Sequence, residues 1–404
     1  MNGKMRVGVS VLLALAVCLL AGCAKQKKSG SGPKKITLTV WESNGGPNVF
    51  IRRAGEAYSA LHPNIEIKYV NVEIGDAAGQ VALDGPAMIG PDLFAAPHDK
   101  LGELVMGGHV LPTVNNYHVR ASVLGVCASA LTYDGTMYGY PVSAETYALF
   151  YNKDLISDTE LPSTWTQLSD WARVFNKRNP GKYGFVMDVG SGYYTIVFTT
   201  ANGNRLFGPS GTDTTNTHIN NADAVSGMKF FQGLRAAILD VPAADLGTAI
   251  CDSAFAAQKA ALYITGPWNI KNFTDAGLNF GVMPLPAFDV DSTPSSSFSG
   301  TRAMFVSAYT DYPEEAAEFA QFLISPEMQK LRFELTGAIP AINVQVDSPY
   351  FSGFLRQLDY AFPMPSIPEM GSYWEAMNNA SKNIWNGADV QKELDACNNA
   401  ILGK

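Results

Sequence analysis

The chain has 404 residues, of which 47% are hydrophobic and 16% are charged, and its formal net charge at pH 7 is −8. This length exceeds what one hydrophobic core usually supports, so we expect two globular domains, and the composition excludes disorder as the main state. The acidic balance argues against a nucleic acid as partner, because nucleic-acid binding relies on lysine and arginine side chains that face phosphates.

The first residues have the pattern of a targeting signal. A positively charged start precedes an apolar run over residues 7–20, which is too short to span a bilayer comfortably. The run ends in the letters LAGC, which resemble the lipobox of bacterial lipoproteins, and this resemblance implies cleavage before Cys23 and acylation of its thiol. We therefore expect residues 1–22 to be removed. Residues 23–35, rich in lysine, glycine and serine, are expected to form a flexible tether near an anionic membrane surface.

The other cysteines do not indicate a disulfide framework. Beyond Cys23 the chain has only Cys127, Cys251 and Cys397, which are widely separated and allow one pair at most. Their spacing does not resemble a metal cluster. We expect buried free thiols, and the sequence predicts neither a metal nor a cofactor.

The first elements after the tether form a strand–helix–strand unit. Residues 36–41 and residues 65–70 alternate apolar and polar side chains as strands do, and a helical pattern lies between them. Such units build parallel sheets with helices on their faces, and ligands bind beyond the strand ends. Glu42, Ser43 and Asn44 follow the first strand, so this loop is placed at a potential binding site.

A second polar cluster follows a short strand predicted over residues 90–95. It consists of His98, Asp99 and Lys100. A histidine beside an aspartate could indicate acid–base chemistry, yet no usual nucleophile lies next to this pair. An N-cap of the following helix is an equal alternative for Asp99.

The segment over residues 140–155 reads YPVSAETYALFYNKDL and contains two extended runs separated by one carboxylate, Glu145. Taken alone, it is typical of a buried strand with an acid at a solvated end. Because strand–helix patterns occur on both sides of it, the segment is predicted to cross from one domain to the other. Residues 284–299 and 338–349 are candidates for two further crossings.

Several aromatic residues lie where they could face a ligand. Tyr193 and Tyr194 adjoin a glycine, Trp268 follows a Gly-Pro turn at a strand end, and Trp374 lies at a helix start after a proline-rich loop. Such positions suit a stacking surface, and packing in a core or an interface remains the alternative for each of them.

Taken together, these segments resemble one family along nearly the whole chain, the extracellular solute-binding proteins of ABC importers and, within them, the maltose/maltodextrin-binding branch. The matching segments, in order, are LTVW, GPDLFAAPHDKLGEL, YGYPVSAETYALFYNKDL, STWTQL, SAFAAQKAALYITGPW, NFGVMPLP, ISPEMQK and MPSIPEMGSYW. The resemblance implies an α/β fold of the periplasmic-binding-protein kind, type II-like, with two lobes joined by three crossings. Each lobe is a β-sheet flanked by helices, and a sugar is held in the cleft between them. We expect one lobe over residues 36–143 and 300–344, and the other over residues 144–299 and 345–404.

The resemblance also assigns roles to individual positions. It makes Asp99 and Glu145 acceptors of hydroxyl hydrogen bonds, and Lys100 stands where the family's maltose binder has an arginine. The positions that match its aromatic platforms and its cleft methionine are Tyr193, Trp268, Trp374 and Met364. A pyranose fits such a set, because its C–H faces stack on aromatic rings and its hydroxyls bind charged groups. Tyr194 is added as a neighbour of Tyr193, and Glu42, Ser43 and Asn44 are added as further hydrogen-bonding groups on their location alone.

The chain also departs from the family pattern, which leaves the identity and the length of the sugar open. The departures are Gly45 and Gly46 for an Asp-Lys pair, Ala96 for a tryptophan, Ser191 for a glutamate, Thr248 for a tyrosine, and Glu375 and Asn378 for a tyrosine and an arginine.

The sequence thus predicts a monomeric binding protein, lipid-anchored to a membrane of the cell envelope outside the cytoplasm, that delivers maltodextrin-type oligosaccharides to an ABC permease. The ligand could instead be another oligosaccharide, such as a cyclodextrin. A second alternative is a glycoside hydrolase that uses Asp99 and Glu145 as its paired carboxylates. A third is a surface lipoprotein whose partner is another protein.

Overall fold

The computed structural model describes residues 34–288 and 293–404. The predictions on residues 1–33, namely the signal, the lipidated Cys23 and most of the tether, lie outside the described residues. Within the two described ranges, no helix is long and apolar enough to cross a membrane. Cys127, Cys251 and Cys397 are buried free thiols, as predicted.

The secondary structure of the described residues alternates strands and helices over most of the chain. The strands are β1 Ile36–Glu42, β2 Ile65–Asn71, β3 Leu93–Pro97, β4 Thr132–Tyr133, β5 Thr136–Met137, β6 Tyr140–Thr146, β7 Ala148–Asn152, β8 Tyr183–Val186, β9 Ala260–Thr265, β10 Phe280–Met283, β11 Phe298–Val306 and β12 Phe362–Pro363. The helices are α1 Pro47–Leu61, α2 Ala77–Asp84, α3 Leu101–Met106, α4 Asn116–Ser122, α5 Gly125–Ala130, α6 Trp165–Arg178, α7 Gly192–Thr199, α8 Ala222–Ile238, α9 Thr248–Ala256, α10 Ile270–Asp275, α11 Pro313–Leu323, α12 Pro326–Thr336, α13 Phe351–Leu358, α14 Met370–Trp385 and α15 Val390–Ile401. Single 3-10 turns cover His98–Lys100 after β3 and Pro267–Asn269 after β9, and three more cover Asp158–Glu160, Ala201–Gly203 and Ala243–Asp245.

The first sheet is built around the predicted strand–helix–strand unit. Its strand order in the described residues is β12-β11-β3-β1-β2, with β6 paired to β11. β1 is parallel to β2 along its whole length, from Ile36 opposite Ile65 to Glu42 opposite Asn71. β11 runs antiparallel to both β3 and β6. The strand predicted over residues 90–95 begins three residues later, at Leu93, because Asp92 instead hydrogen-bonds β1 at Thr39.

The second sheet has the order β10-β7-β9-β8 among the described strands. β7 runs antiparallel to both β9 and β10, and β8 runs parallel to β9. Since β6 belongs to the first sheet and β7 to the second, the chain passes from one sheet to the other between Thr146 and Ala148. It returns between β10 and β11.

Each sheet has its own hydrophobic core. The first core joins the inward side chains of β1, such as Leu38 and Val40, to Phe50 and Ile51 of α1. The second core joins Phe150 of β7 to Trp165 of α6 and also takes in residues of α14 and α15. The alternation of β1 and the helical spacing of α1 therefore correspond to one buried surface, which explains why these elements form where the sequence predicts them.

Candidate functional site

A cavity of about 490 Å³ is lined by residues from both halves of the structure. Seven of the predicted site residues lie in its wall, and these are Asp99, Lys100, Glu145, Tyr193, Trp268, Met364 and Trp374. Four lining residues were not predicted, and these are Ile74, Gly75, Pro97 and Arg302. The fold brings the predicted residues together because most of them follow strand ends. Asp99 and Trp268 lie in the 3-10 turns after β3 and β9, and Glu145 is the penultimate residue of β6.

Asp99 is a buried carboxylate fixed by an indole. Its Oδ2 atom accepts a hydrogen bond from Trp374 Nε1 at 3.2 Å. Burial raises the pKa of Asp99, and the Lys100 charge and the indole hydrogen bond partly oppose this rise. The helix-capping alternative for Asp99 is wrong, because α3 begins at Leu101 without a side-chain cap.

Glu145 lies at the point where the chain leaves the first sheet. Its partner across the β6–β11 ladder is Gly300, where an added Cβ would lie 3.3 Å from Glu145 Cβ and 3.3 Å from Met364 Cε. The absence of a side chain at Gly300 therefore leaves space for both groups. Burial raises the pKa of Glu145, while the charges of Arg302 and Arg332 lower it. Within the described residues no group donates a hydrogen bond to this carboxylate, which is therefore open toward the cavity.

His98 has a structural role beside the cavity. Its Nδ1 atom accepts a hydrogen bond from the Thr301 amide at 3.1 Å, so Nε2 carries the proton and donates to the Met364 carbonyl at 2.9 Å. Burial lowers the pKa of His98, which favours this neutral form. The imidazole thus ties β11 to the segment that carries Met364, and both ring nitrogens are occupied, which argues against acid–base chemistry.

The two adjacent tyrosines point in different directions. Tyr193 lines the cavity, makes an edge contact with Tyr147 at 4.9 Å between ring centroids, and lies 6.3 Å from Trp268. Tyr194 is buried in the second core, where its ring makes an edge contact with Tyr147 at 5.1 Å between ring centroids. Both residues belong to α7, where consecutive side chains diverge by about 100°. The prediction that both tyrosines form the stacking surface is therefore wrong for Tyr194.

The loop after β1 does not reach the cavity wall. Glu42 is fully buried, and its carboxylate forms an ion pair with Arg302 and lies 3.7 Å from Arg332 Nη1. Ser43 Oγ accepts hydrogen bonds from the Ile74 amide and from Arg302 Nη2. Asn44 is exposed, and its Oδ1 accepts a hydrogen bond from the Tyr69 hydroxyl at 2.9 Å. Glu42, Ser43 and Asn44 lie outside the cavity wall, which contradicts the prediction that they hydrogen-bond the ligand there, and Glu42 Oε1 and Ser43 Oγ are already bonded to Arg302.

Arg302 is the charged cavity residue that sequence reasoning missed. The sequence did contain a signal, because Arg302 is a single charge within the otherwise uncharged stretch FSGTRAMFV. A charge in a strand that is buried along its length requires a partner or a function.

Several departures from the family pattern have local structural roles. Ala96 lies inside β3 and is fully buried. Thr248 donates its hydroxyl proton to Asp188 at 2.7 Å, and Asn378 Oδ1 accepts a hydrogen bond from the Gly192 amide at the start of α7. These side chains do not line the cavity, so its polar wall is smaller than the family pattern implies.

Comparison with protein families and characterised sequences gives matches along nearly the whole chain. The family profile described as bacterial extracellular solute-binding protein matches residues 44–330. A galactooligosaccharide-binding protein of Bacillus subtilis (strain 168) is 31% identical over 422 residues, which cover 99% of this chain and 97% of that protein. A maltodextrin-binding protein of the same strain is 27% identical, with coverage of 98% and 96%.

Solved structures with the same fold include two sugar complexes. A cyclo/maltodextrin-binding protein complexed with maltotetraose is 34% identical, covers 92% of this chain and 97% of its own, and has a TM-score of 0.79. A maltotriose-binding protein of Thermus thermophilus, bound with maltotriose, is 26% identical, with coverage of 91% and 99% and a TM-score of 0.81.

Proposed function

The chain belongs to the bacterial extracellular solute-binding proteins, and from this premise we propose that it binds maltodextrin-type oligosaccharides for an ABC importer. It has the two-lobe α/β fold of maltose-binding proteins, with each sheet flanked by helices. The observation that carries the proposal is the cavity wall, where two carboxylates, the buried Asp99 and the partly buried Glu145, face the same space as Tyr193, Trp268 and Trp374. Aromatic rings bind the C–H faces of pyranoses, and ionised carboxylates accept hydrogen bonds from their hydroxyls.

The proposed lobes follow the two sheets, except that β12 of the second lobe pairs with β11 of the first sheet. We assign residues 36–143 and 300–344 to one lobe and residues 144–299 and 345–404 to the other. The passage from β6 to β7 supports the first crossing, and the passage from β10 to β11 supports the second. The third crossing follows α12, which packs on α1, and precedes α13, which packs on β10. Closure of the lobes around a sugar would present a new surface to the permease.

The N-terminal segment supports a lipid anchor outside the cytoplasm. The letters LAGC and the tether of residues 23–35 are the basis of this proposal, together with two similar proteins of Streptococcus pneumoniae that are named solute-binding lipoproteins. We expect wild-type protein expressed in a bacterium to sediment with membranes as a monomer acylated at Cys23. The Cys23→Ala variant should appear in the soluble fraction. Equal membrane fractions for the two proteins would contradict the anchor.

A panel of glycans tests the proposed function directly. We expect maltotriose, maltotetraose or a cyclodextrin to bind in calorimetry and to raise the melting temperature, since a ligand at 100 times its Kd stabilises the folded state by about 2.7 kcal/mol. A galactooligosaccharide arm is required because a similar protein carries that name. If the galactooligosaccharide is the only glycan that binds, the protein is specific for galactosides rather than for maltodextrins.

The same panel separates a binding protein from a glycoside hydrolase and from a lipoprotein whose partner is another protein. The family and the characterised relatives are solute-binding proteins, so we expect the bound sugar to be recovered chemically intact after long incubation. Shortened maltotetraose would favour the hydrolase that uses Asp99 and Glu145. The absence of a thermal shift with every glycan would contradict the proposed function and favour a protein partner.

A further inference from the structure

Four charged residues, three of them buried, form a cluster at the cavity. Glu42 at the end of β1, Arg302 in β11 and Arg332 in α12 are less than one tenth exposed, and Glu145 at the end of β6 lies beside them. The cluster has two positive and two negative charges, so it is balanced as a set. It joins β6, which precedes the first crossing, and β11, which follows the second, to α12, which precedes the third.

Arg302 lies at the centre of this cluster. Its Nη2 atom donates hydrogen bonds to Glu42 Oε1 and, at 3.0 Å, to Ser43 Oγ. Ser43 Oγ also accepts a hydrogen bond from the Ile74 amide at 2.9 Å, and Ile74 lines the cavity. Arg302 is therefore connected through one hydroxyl to the loop that forms part of the cavity rim.

Arg302 and Glu145 lie on the same face of the sheet. In the β6–β11 ladder Gly300 is opposite Glu145 and Arg302 is opposite Ser143, so the two charged residues are diagonal neighbours. Both line the cavity. The Arg302 Nε atom is buried and has no hydrogen-bond partner within residues 34–288 and 293–404, so the guanidinium is not saturated by Glu42 and Ser43.

We propose that Arg302 is a positioning residue of the binding site, which keeps Glu145 ionised as a hydroxyl acceptor and fixes the Ile74 loop through Ser43. This inference rests on the proposed binding of oligosaccharides and extends it to a residue that does not belong to the pattern of the resemblance. Its physical basis is that a carboxylate removed from water retains its charge only when an opposite charge is nearby.

The sign of the expected pH effect follows from the surroundings of Glu145. The titratable groups that face it are Arg302 of β11, Arg332 of α12, Glu42 of β1, Asp99 of the turn after β3, Tyr193 of α7 and Cys127 of α5. Burial raises the pKa of Glu145, and Arg302 is the largest of the influences that lower it. Without Arg302, Glu145 should take up its proton at higher pH and stop accepting hydrogen bonds from sugar hydroxyls there.

Sugar affinity measured by calorimetry from about pH 8 to about pH 5 tests this role. Wild type should lose affinity at the acid end, and Arg302→Gln should begin to lose it at higher pH. At the lowest pH where both proteins are folded, the loss of affinity relative to pH 8 should be larger in Arg302→Gln than in wild type, because a larger fraction of Glu145 is then protonated. Arg302→Lys, which keeps the charge, should retain most of the wild-type profile. If sugar affinity depends on pH in the same way in wild type and in Arg302→Gln, the proposal is overturned.

A second measurement does not depend on any sugar. Infrared spectroscopy detects a protonated carboxyl by its C=O band, and the band of Glu145 is identified by its loss in Glu145→Gln. This band should appear at higher pH in Arg302→Gln than in wild type, whereas Lys100→Gln, which removes a charge that acts on Asp99 and reaches Glu145 only through it, should not move the band to higher pH. An unchanged band in Arg302→Gln would contradict the role of Arg302 even if the glycan panel fails.

The single variant could fail to fold, since it leaves Glu42 without its main partner. The double variant Glu42→Gln with Arg302→Gln restores the charge balance of the cluster. Arg302 influences the pKa of Glu145 more strongly than Glu42 does. In the double variant, the loss of sugar affinity on acidification and the appearance of the infrared band should therefore still occur at higher pH than in wild type. A shift to lower pH, or no shift, would contradict the inference.

Discussion

Replacement of Trp374 by alanine is expected to weaken oligosaccharide binding by about 2 to 3 kcal/mol, as at a buried aromatic hot spot. The indole is partly buried and makes edge contacts with Tyr373 and Phe298 at centroid distances of 5.1 and 6.1 Å, so its orientation is fixed before a ligand arrives. It also donates its only hydrogen bond to Asp99. The change therefore removes a stacking face and at the same time releases the carboxylate beside it. Calorimetry with the tightest glycan of the panel measures the loss.

Two matched variants separate these contributions. Trp374→Phe keeps a smaller aromatic face and lacks the N–H donor, so it should lose less affinity than Trp374→Ala. Trp268→Ala removes an indole that is 40% exposed and whose ring centroid lies 6.3 Å from that of Tyr193. This change should reduce the free energy of sugar binding by about 1 to 2 kcal/mol. Wild-type affinity for Trp374→Ala, in a variant whose melting temperature shows that it is folded, would refute the stacking role.

The sequence predicts the fold well where a local residue pattern is compatible with only one local structure. The alternation of β1 and β2 around a helix that starts at Pro47 produces the parallel pair in the register that the unit requires. The passage over residues 140–155 is also predicted, because strand–helix patterns occur on both sides of it, and β6 and β7 indeed belong to different sheets. The bounds of β3 differ by two to three residues from the prediction, since strand ends depend on partners distant in sequence.

The site is predictable only in part, for a similar reason. Strand ends locate Asp99 and Trp268, yet the loop after β1 is misassigned because its carboxylate pairs with an arginine 260 positions later. Composition cannot tell a carboxylate that binds a ligand from one that neutralises a buried guanidinium. Tyr193 and Tyr194 show the second limit, since the side that each faces depends on whether the segment is a strand or a helix.

The buried cluster also predicts a large effect on stability. Glu42→Ala should lower the free energy of unfolding by about 3 to 5 kcal/mol, the usual cost of removing one partner of a buried ion pair. Glu42 is fully buried, and its loss leaves the guanidinium groups of Arg302 and Arg332 without their shared counter-charge. Burial already lowers the pKa of Arg332 to about 10, which shows how costly the charged form is at this position. Denaturant unfolding of the purified variants measures the change.

A surface pair provides the control for this prediction. Glu103 forms an ion pair with Lys100 at 3.4 Å, but its side chain is 48% exposed, so Glu103→Ala should cost no more than about 1 kcal/mol. Similar losses for Glu42→Ala and Glu103→Ala would show that the buried cluster does not support the fold.

A double-mutant cycle between Glu42→Gln and Arg302→Gln then isolates their interaction, because residues in one ion-pair network do not contribute additively. We expect the double variant to be more stable than the sum of the single losses implies, since it leaves neither charge of the pair unpaired. Strict additivity would mean that Arg302 is held by Ser43 and its packing rather than by Glu42.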